Sequence, residues 1–243
     1  MLRVLFFLYF WLIVAPVFIL ATILTALTVI VGCMLGGEKF FAYYPGMLWS
    51  KLACCLALCP VKVRGRDHLV KNQSYIFVSN HQSAIDIFLL YGYLGVPVKW
   101  MMKAGLIKIP LVGAACRAAG FIFVDNSTPQ AAKRSIAEAK RRLINGASLI
   151  AFPEGSRSKD GKISRFRKGP FQIAIDQHLP IVPITLNGPF KVMPRGTINV
   201  FPHRMEIVIH PPVFLDESAF SGMKDLQHLA DEVKGIIASA LQS

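Results

Sequence analysis

Between Arg3 and Glu38 the chain carries no charged residue, and most positions are Leu, Ile, Val, Phe, Ala or Thr. A helix crosses a bilayer core of roughly 30 Å with about 20 apolar residues, so this stretch is long enough to lie in lipid. Two arrangements fit the pattern. One is a single, long, tilted transmembrane helix. The other continues through a second apolar stretch, residues 40–58, interrupted at Pro45 and Gly46. Those two segments then form a helical hairpin that dips into one leaflet and returns, with Tyr43, Tyr44 and Trp49 suited to the headgroup region. A cleaved lipoprotein signal is a third reading, because Ile30-Val31-Gly32-Cys33 resembles a processing site. Against it, signal cores usually run about 7–15 residues behind a basic flank, and here the core is far longer with Arg3 alone ahead of it.

From about Pro60 the pattern changes to short apolar runs alternating with helical periodicities, which predicts an α/β domain. Residues 75–79, 121–124, 149–152, 181–186 and 205–209 read as buried strands. Residues 85–93 read as a helix. A second helix starts at Ser127 or Thr128 as N-cap with Pro129 in its first turn, and Ala132, Ile136, Ala139 and Leu143 line one face up to Gly146. A short apolar helix covers 171–175. Over 223–241, Leu226, Leu229, Val233, Ile236, Ile237 and Leu241 make a stripe that packs on the domain. The expectation is a mixed sheet flanked by helices over residues 60–243, behind a membrane-anchoring helical region over residues 1–59. Neither repeats nor a low-complexity linker interrupts it.

Composition sharpens this picture. Hydrophobic residues make up 53% and charged residues 17%, against a usual charged share of roughly 25%. The net charge is +13, from 27 Lys and Arg against 14 Asp and Glu, nearly all of it beyond the apolar segment. That balance favours anionic partners: nucleic acid, acidic lipid headgroups or phosphorylated substrates. With a lipid anchor present, membrane phosphate accounts for the charge, and no nucleic-acid partner is expected. The positive-inside bias puts the domain on the cytoplasmic face of the cell inner membrane. Cys33, Cys54, Cys55, Cys59 and Cys116 show no zinc-ligand spacing backed by histidines, so no metal site is expected and they read as buried, reduced thiols.

Two polar segments carry the candidate chemistry. Asn80-His81-Gln82-Ser83-Ala84-Ile85-Asp86 follows a predicted strand and opens a predicted helix, where active groups of open α/β sheets gather. Mid-helix, residues five apart diverge by roughly 140°. With His81 in the turn and Asp86 in the first helical turn they can meet, and the carboxylate can fix the imidazole tautomer and leave the other nitrogen as a base. Ser83 and Asp86 also make a plausible capping box, which accounts for Asp86 without catalysis. The second segment, Phe152-Pro153-Glu154-Gly155-Ser156-Arg157-Ser158, again ends a strand in a polar turn. Arg157 offers a planar fork for phosphate, and backbone N–H groups near Gly155 add to it. Lys159, Lys162, Arg165, Arg167 and Lys168 follow, a run that also reads as a solvated basic loop.

These segments, in this order behind an apolar N-terminus, resemble the 1-acyl-sn-glycerol-3-phosphate acyltransferases of the glycerolipid acyltransferase family. The resemblance covers roughly residues 61–212. Asn-His, four residues and Asp appear at residues 80–86; Pro-Glu-Gly, Thr or Ser, then Arg appear at 153–157; an apolar pair with Pro appears at 181–184. The second family motif, a glycine, an apolar run and an arginine, departs: Gly120 to Asp125 lead into Asn126 where the arginine is usual. Arg157 and a nearby base such as Lys133 or Arg134 then carry more of an acceptor phosphate.

The resemblance implies that His81 removes the proton from an acceptor hydroxyl as that oxygen attacks an acyl thioester, with Asp86 orienting His81. It implies substrate-binding roles for Glu154, Gly155, Ser156, Arg157, Asn126 and Lys168. No cofactor is implied beyond acyl-CoA or acyl carrier protein as co-substrate, and the partners are membrane lipids, lysophosphatidic acid and that donor. No serine sits in a nucleophile elbow, so direct transfer is expected. The alternatives are an acyltransferase with another lysolipid acceptor and a non-catalytic, membrane-tethered protein that binds acidic lipid.

Overall fold

The computed structural model describes residues 2–125, 127–143, 147–215 and 223–242. Its N-terminal part is a helical hairpin. Leu2–Tyr9 (α1), a π-helical stretch Phe10–Val14 and Ala15–Met34 (α2) run on as one rod, followed by Glu38–Phe41 (α3) and Tyr44–Leu56 (α4). Residues 4–34 of this rod are long and apolar enough to cross a membrane. The return helix runs antiparallel to α2. Trp49 Nε1 donates to Thr22 Oγ1 at 2.9 Å, and further along Tyr9 Oη donates to the Leu56 carbonyl at 3.1 Å. Gly32 makes the hairpin turn possible, because a Cβ there would lie 2.1 Å from the Phe41 ring. Leu5, Leu12, Leu20 and Leu24 stay outward and exposed, as lipid-facing residues do.

The rest is one seven-stranded sheet. Val61–Arg64 (β1), Ile76–Ser79 (β2), Val98–Lys103 (β3), Ile122–Val124 (β4), Ser148–Ala151 (β5), Ile181–Asn187 (β6) and Met205–Ile209 (β7) lie in the order β1-β7-β6-β2-β5-β3-β4. The β6–β7 pair is antiparallel and every other pair is parallel, so the sheet is mixed. The helices are Ile85–Tyr93 (α5), Val112–Ala118 (α6), Pro129–Leu143 (α7), Gly169–Asp176 (α8), Pro189–Val192 (α9) and Met223–Ser239 (α10). Strands β1 and β3 and helices α6 and α9 are additions to the elements read from the sequence.

Alternation along the strands gives each face its own core. Phe77, Ile150, Val182, Ile184 and Ile207 face the side covered by α4 and α5. Ile76, Val78, Leu149 and Ile181 face α7, α8 and α10. On α7 the buried stripe is Ala131, Ser135, Ala139 and Leu143, one position earlier at its start than the apolar pattern predicts. The reason is polar: Ser135 Oγ donates to the Ala131 carbonyl and accepts the Asp125 N–H, which ties the helix to the end of β4. On α10, Leu226, Leu229, Val233 and Ile237 are buried and Ile236 lies at the margin. Helix α4 packs closely on α5, where Gly46 admits the Tyr91 ring and Gly92 admits the backbone of Lys51. The N-terminal hairpin and the sheet domain thus share a continuous apolar interior.

Candidate active site

Strands β2 and β5 are neighbours at the centre of the sheet and run parallel, with Val78 opposite Ala151. Three residues beyond that pair, the chains reach His81 and Glu154. The register therefore brings together two turns 73 residues apart, both at the carboxyl edge of the sheet. The His81 N–H donates to Glu154 Oε1 at 2.8 Å, and the Ser158 N–H donates back to the His81 carbonyl at 2.8 Å. Asn80 secures the other flank. It is fully buried, its Nδ2 donates to the Leu186 carbonyl and its Oδ1 accepts the Leu186 N–H, so the side chain extends the β2–β6 pairing past the end of β2.

Within the His81 turn, one carboxylate oxygen organises everything. Asp86 Oδ2 accepts His81 Nδ1–H at 2.7 Å, the Gln82 N–H at 2.7 Å and the Ser83 N–H at 2.8 Å. Capping and histidine orientation are therefore not alternatives here; the same oxygen does both. Ser83 Oγ completes the turn, accepting the Ile85 N–H and donating to the Met193 carbonyl. Asp86 is wholly buried whereas the His81 side chain is 15% exposed. With Nδ1 fixed on Asp86, Nε2 is the imidazole atom left for a substrate. The ring plane is set by Phe152, stacked on it at 3.9 Å and 9°, with Trp100 tilted behind Phe152 at 5.8 Å.

Glu154, for which the resemblance implies a substrate-binding role, is engaged by the protein itself. Its residue is 6% exposed, and both oxygens face protein donors: Oε1 takes the His81 N–H, and Oε2 takes the Ser164 N–H and Oγ–H at 2.9 Å. It joins the histidine turn to the basic loop. Gly155 and Ser156 are exposed at the turn, and Arg157 is half-buried. Gly155 sits at φ +73°, a conformation a side chain rarely adopts. Lys168 precedes α8 as its N-cap residue, half-buried and engaged within the protein. Asn126 lies outside the described residues. Lys133 and Arg134 are exposed on α7; Asp125, beside Asn126, is held below the usual carboxylate range by hydrogen bonds from Ser127 and by Arg134.

Asn80 stands in the first quoted motif, but its bridge to Leu186, the Phe152 stack on His81 and the Ser164 bonds ten residues past Glu154 had no signal in the sequence. Among the described residues no group of three or more His, Cys, Asp or Glu side chains is arranged to hold a metal ion.

Known proteins resemble this chain in sequence and in fold. Residues 60–187 match the family described as Acyltransferase. A chloroplastic 1-acyl-sn-glycerol-3-phosphate acyltransferase of Brassica napus is 32% identical over 206 residues, covering 84% of this chain and 57% of the relative. One from Limnanthes douglasii is 35% identical over 175 residues, covering 72% of this chain and 62% of the relative. The chain thus spans less than two thirds of the length of these relatives. The crystal structure of the 1-acyl-sn-glycerophosphate acyltransferase PlsC of Thermotoga maritima superposes with a TM-score of 0.78 at 29% identity, covering 99% of this chain and 97% of that one.

Proposed function

The chain belongs to the acyltransferase family, and from that premise we propose that it moves a fatty acyl group from an acyl thioester to the sn-2 hydroxyl of 1-acyl-glycerol-3-phosphate, making phosphatidic acid. The observation that carries this reading is the His81–Asp86 pair. Its 2.7 Å bond fixes the imidazole tautomer and leaves Nε2 to receive a proton.

In the proposed step, Nε2 takes the hydroxyl proton as that oxygen attacks the thioester carbonyl. The new C–O bond forms, the C–S bond breaks, and the electron pair leaves on sulfur as a thiolate. A thiol pKa of about 8.5 makes it a good leaving group without a dedicated acid. Asp86 stabilises the imidazolium formed meanwhile, and Phe152 keeps the ring from turning away. Arg157 receives the acceptor phosphate through its planar fork. The donor is acyl-CoA or acyl carrier protein, and the domain faces the cytoplasm from the inner membrane, with the hairpin held in lipid.

The deciding experiment is purified protein in detergent, offered a panel of acyl donors and lysolipid acceptors, with products read by lipid mass spectrometry. Phosphatidic acid formed from lysophosphatidic acid supports the reading; no acyl transfer to any acceptor overturns it. One observation favours a second reading, an acyltransferase for a lysolipid with a substituted phosphate. Asn126 stands where the family usually has an arginine. In that case the same assay gives a diacyl product from the substituted lysolipid in preference.

A further inference from the structure

The basic run 157–168 is not one uniform surface. Arg165 Nη2 donates to Gln227 Oε1 on α10, and Lys159 and Lys162 are exposed. Arg167 behaves differently. Phe166 before it is buried to 1% exposure, and the Arg167 N–H donates to the Pro153 carbonyl at 2.9 Å, so its backbone is anchored on the turn that carries Glu154. Its guanidinium comes back over Gly155: a Cβ at that glycine would lie 2.7 Å from Arg167 Nε and 2.8 Å from Cζ. The missing side chain at position 155 is the space the guanidinium occupies.

That placement sets two guanidinium-bearing residues around one exposed turn, Arg157 two positions after Gly155 and Arg167 lying on Gly155 itself. Among the described residues neither forms an ion pair with a carboxylate. The nearby acid, Glu154, is buried and directed at protein donors. A third arginine adds to the charge, for Arg195 Nη1 donates to the Arg157 carbonyl at 2.8 Å. Basic residues gathered at one exposed turn without a paired carboxylate favour an anion there, and forked donors suit the oxygens of a phosphate.

We infer that Arg167, held over Gly155, is a second phosphate-binding residue of the acceptor site and works with Arg157 to select a phosphomonoester. It replaces the arginine that the chain lacks at Asn126. The ligand chemistry is a terminal phosphate on a lysolipid; a diester headgroup offers one fewer ionised oxygen and gains less from a second fork. This inference rests on the acyl-transfer reading above.

The test is steady-state kinetics of Arg167→Ala and Arg167→Lys in the full-length protein in detergent, with lysophosphatidic acid and lysophosphatidylcholine as acceptors. Loss of a charge-assisted bond to phosphate should raise the lysophosphatidic acid KM by about ten-fold or more in Arg167→Ala. Arg167→Lys should fall between it and wild type. Donor KM and kcat should stay within about two-fold of wild type, and preference for lysophosphatidic acid over lysophosphatidylcholine should shrink. An unchanged acceptor KM in folded Arg167→Ala overturns the inference. So does a fall in kcat with all KM values unchanged, which marks Arg167 as a brace for the turn. If wild-type protein forms no phosphatidic acid at all, the functional reading fails instead, and the two failures are distinct.

Discussion

Glu154 holds the His81 backbone N–H on one oxygen at 2.8 Å, and both the N–H and the hydroxyl of Ser164 on the other. A carboxylate with both oxygens so directed fixes where the His81 turn sits relative to the basic loop. In the proposed reaction it holds the turn that carries the base.

Glu154→Gln keeps the shape but turns one acceptor oxygen into a donor amide that faces an N–H. Leaving a buried donor unpaired costs about 1–3 kcal/mol. The variant should melt at lower temperature and lose kcat, while acceptor and donor KM values change little. Thermal denaturation and initial rates on the same preparation test this, and an unaltered kcat would contradict the positioning role.

Replacing His81 by Ala removes the proposed base and should lower turnover by about 10²–10⁴-fold. Asp86→Asn should fail differently. Its amide nitrogen or oxygen must face three donors that now meet one carboxylate oxygen, so it should impair both stability and rate. Circular dichroism beside the acyl-transfer assay separates the two effects. Near-normal turnover in folded His81→Ala would leave the turn with a capping role only.

Arg157→Ala should raise the acceptor KM sharply, since a hydrogen bond to a charged group contributes about 1.5–3 kcal/mol. Asn126→Arg should lower that KM where the acceptor is a phosphomonoester. If the restored arginine instead impairs use of lysophosphatidic acid while a substituted lysolipid works well, position 126 sets the acceptor.

His210 gives a pH dependence away from the site. Its Nε2–H donates to Thr185 Oγ1 at 2.8 Å, while Thr185 donates to the Ile237 carbonyl. Burial, and then the nearby His68, hold its pKa below the usual histidine value. The unfolded chain therefore takes up a proton more readily than the folded one once the pH falls below that usual value. Stability is unaffected above it and declines as the pH drops through the window between the unfolded and folded values. Denaturant midpoints at pH 8 and pH 5.5 should differ more for wild type than for His210→Gln. Equal differences would remove His210 from the account.

Deleting residues 1–58 removes more than an address. Helix α4 covers α5, and its Gly46, Ser50, Ala53 and Cys54 are buried. The truncated domain should aggregate or lose cooperativity in melting, even without bilayers, because the apolar face of α5 is left uncovered. A soluble, fully active truncation would show that the hairpin contributes attachment alone.

Much of this was legible because periodicity is strong where strands are central. The runs at 75–79, 149–152 and 181–186 match β2, β5 and β6 within a residue or so, since strands buried on both faces read as continuous apolar segments. Strand β1, Val-Lys-Val-Arg, is a four-residue edge that alternates apolar and basic side chains and reads as loop. Strand β3 mixes Lys99 and Lys103 with its apolar residues. Helix α6 is built largely of small residues and begins after Leu111 at φ +58°, with no capping signal. For the site, spacing allowed His81 to meet Asp86 but equally allowed Asp86 to be a cap; only the folded turn shows one carboxylate oxygen making both contacts. The contacts of Glu154, Ser164 and Arg167 depend on a loop returning on itself, and no local pattern encodes that.

The return helix α4 has a further consequence. It touches α2 along one side and α5 along the other, with Trp49 packed between Phe18 and Phe88. The His81 turn leads directly into α5, so the imidazole and the apolar N-terminal helices are joined through one packed core and not by a tether. With the hairpin seated in lipid as proposed, the height of the imidazole above the hydrocarbon is a dimension set by the fold. On the proposed function, encounter with a lipid acceptor is then a two-dimensional event, and the depth of the hydroxyl within the leaflet, as much as its chemistry, decides which lipids the site can reach.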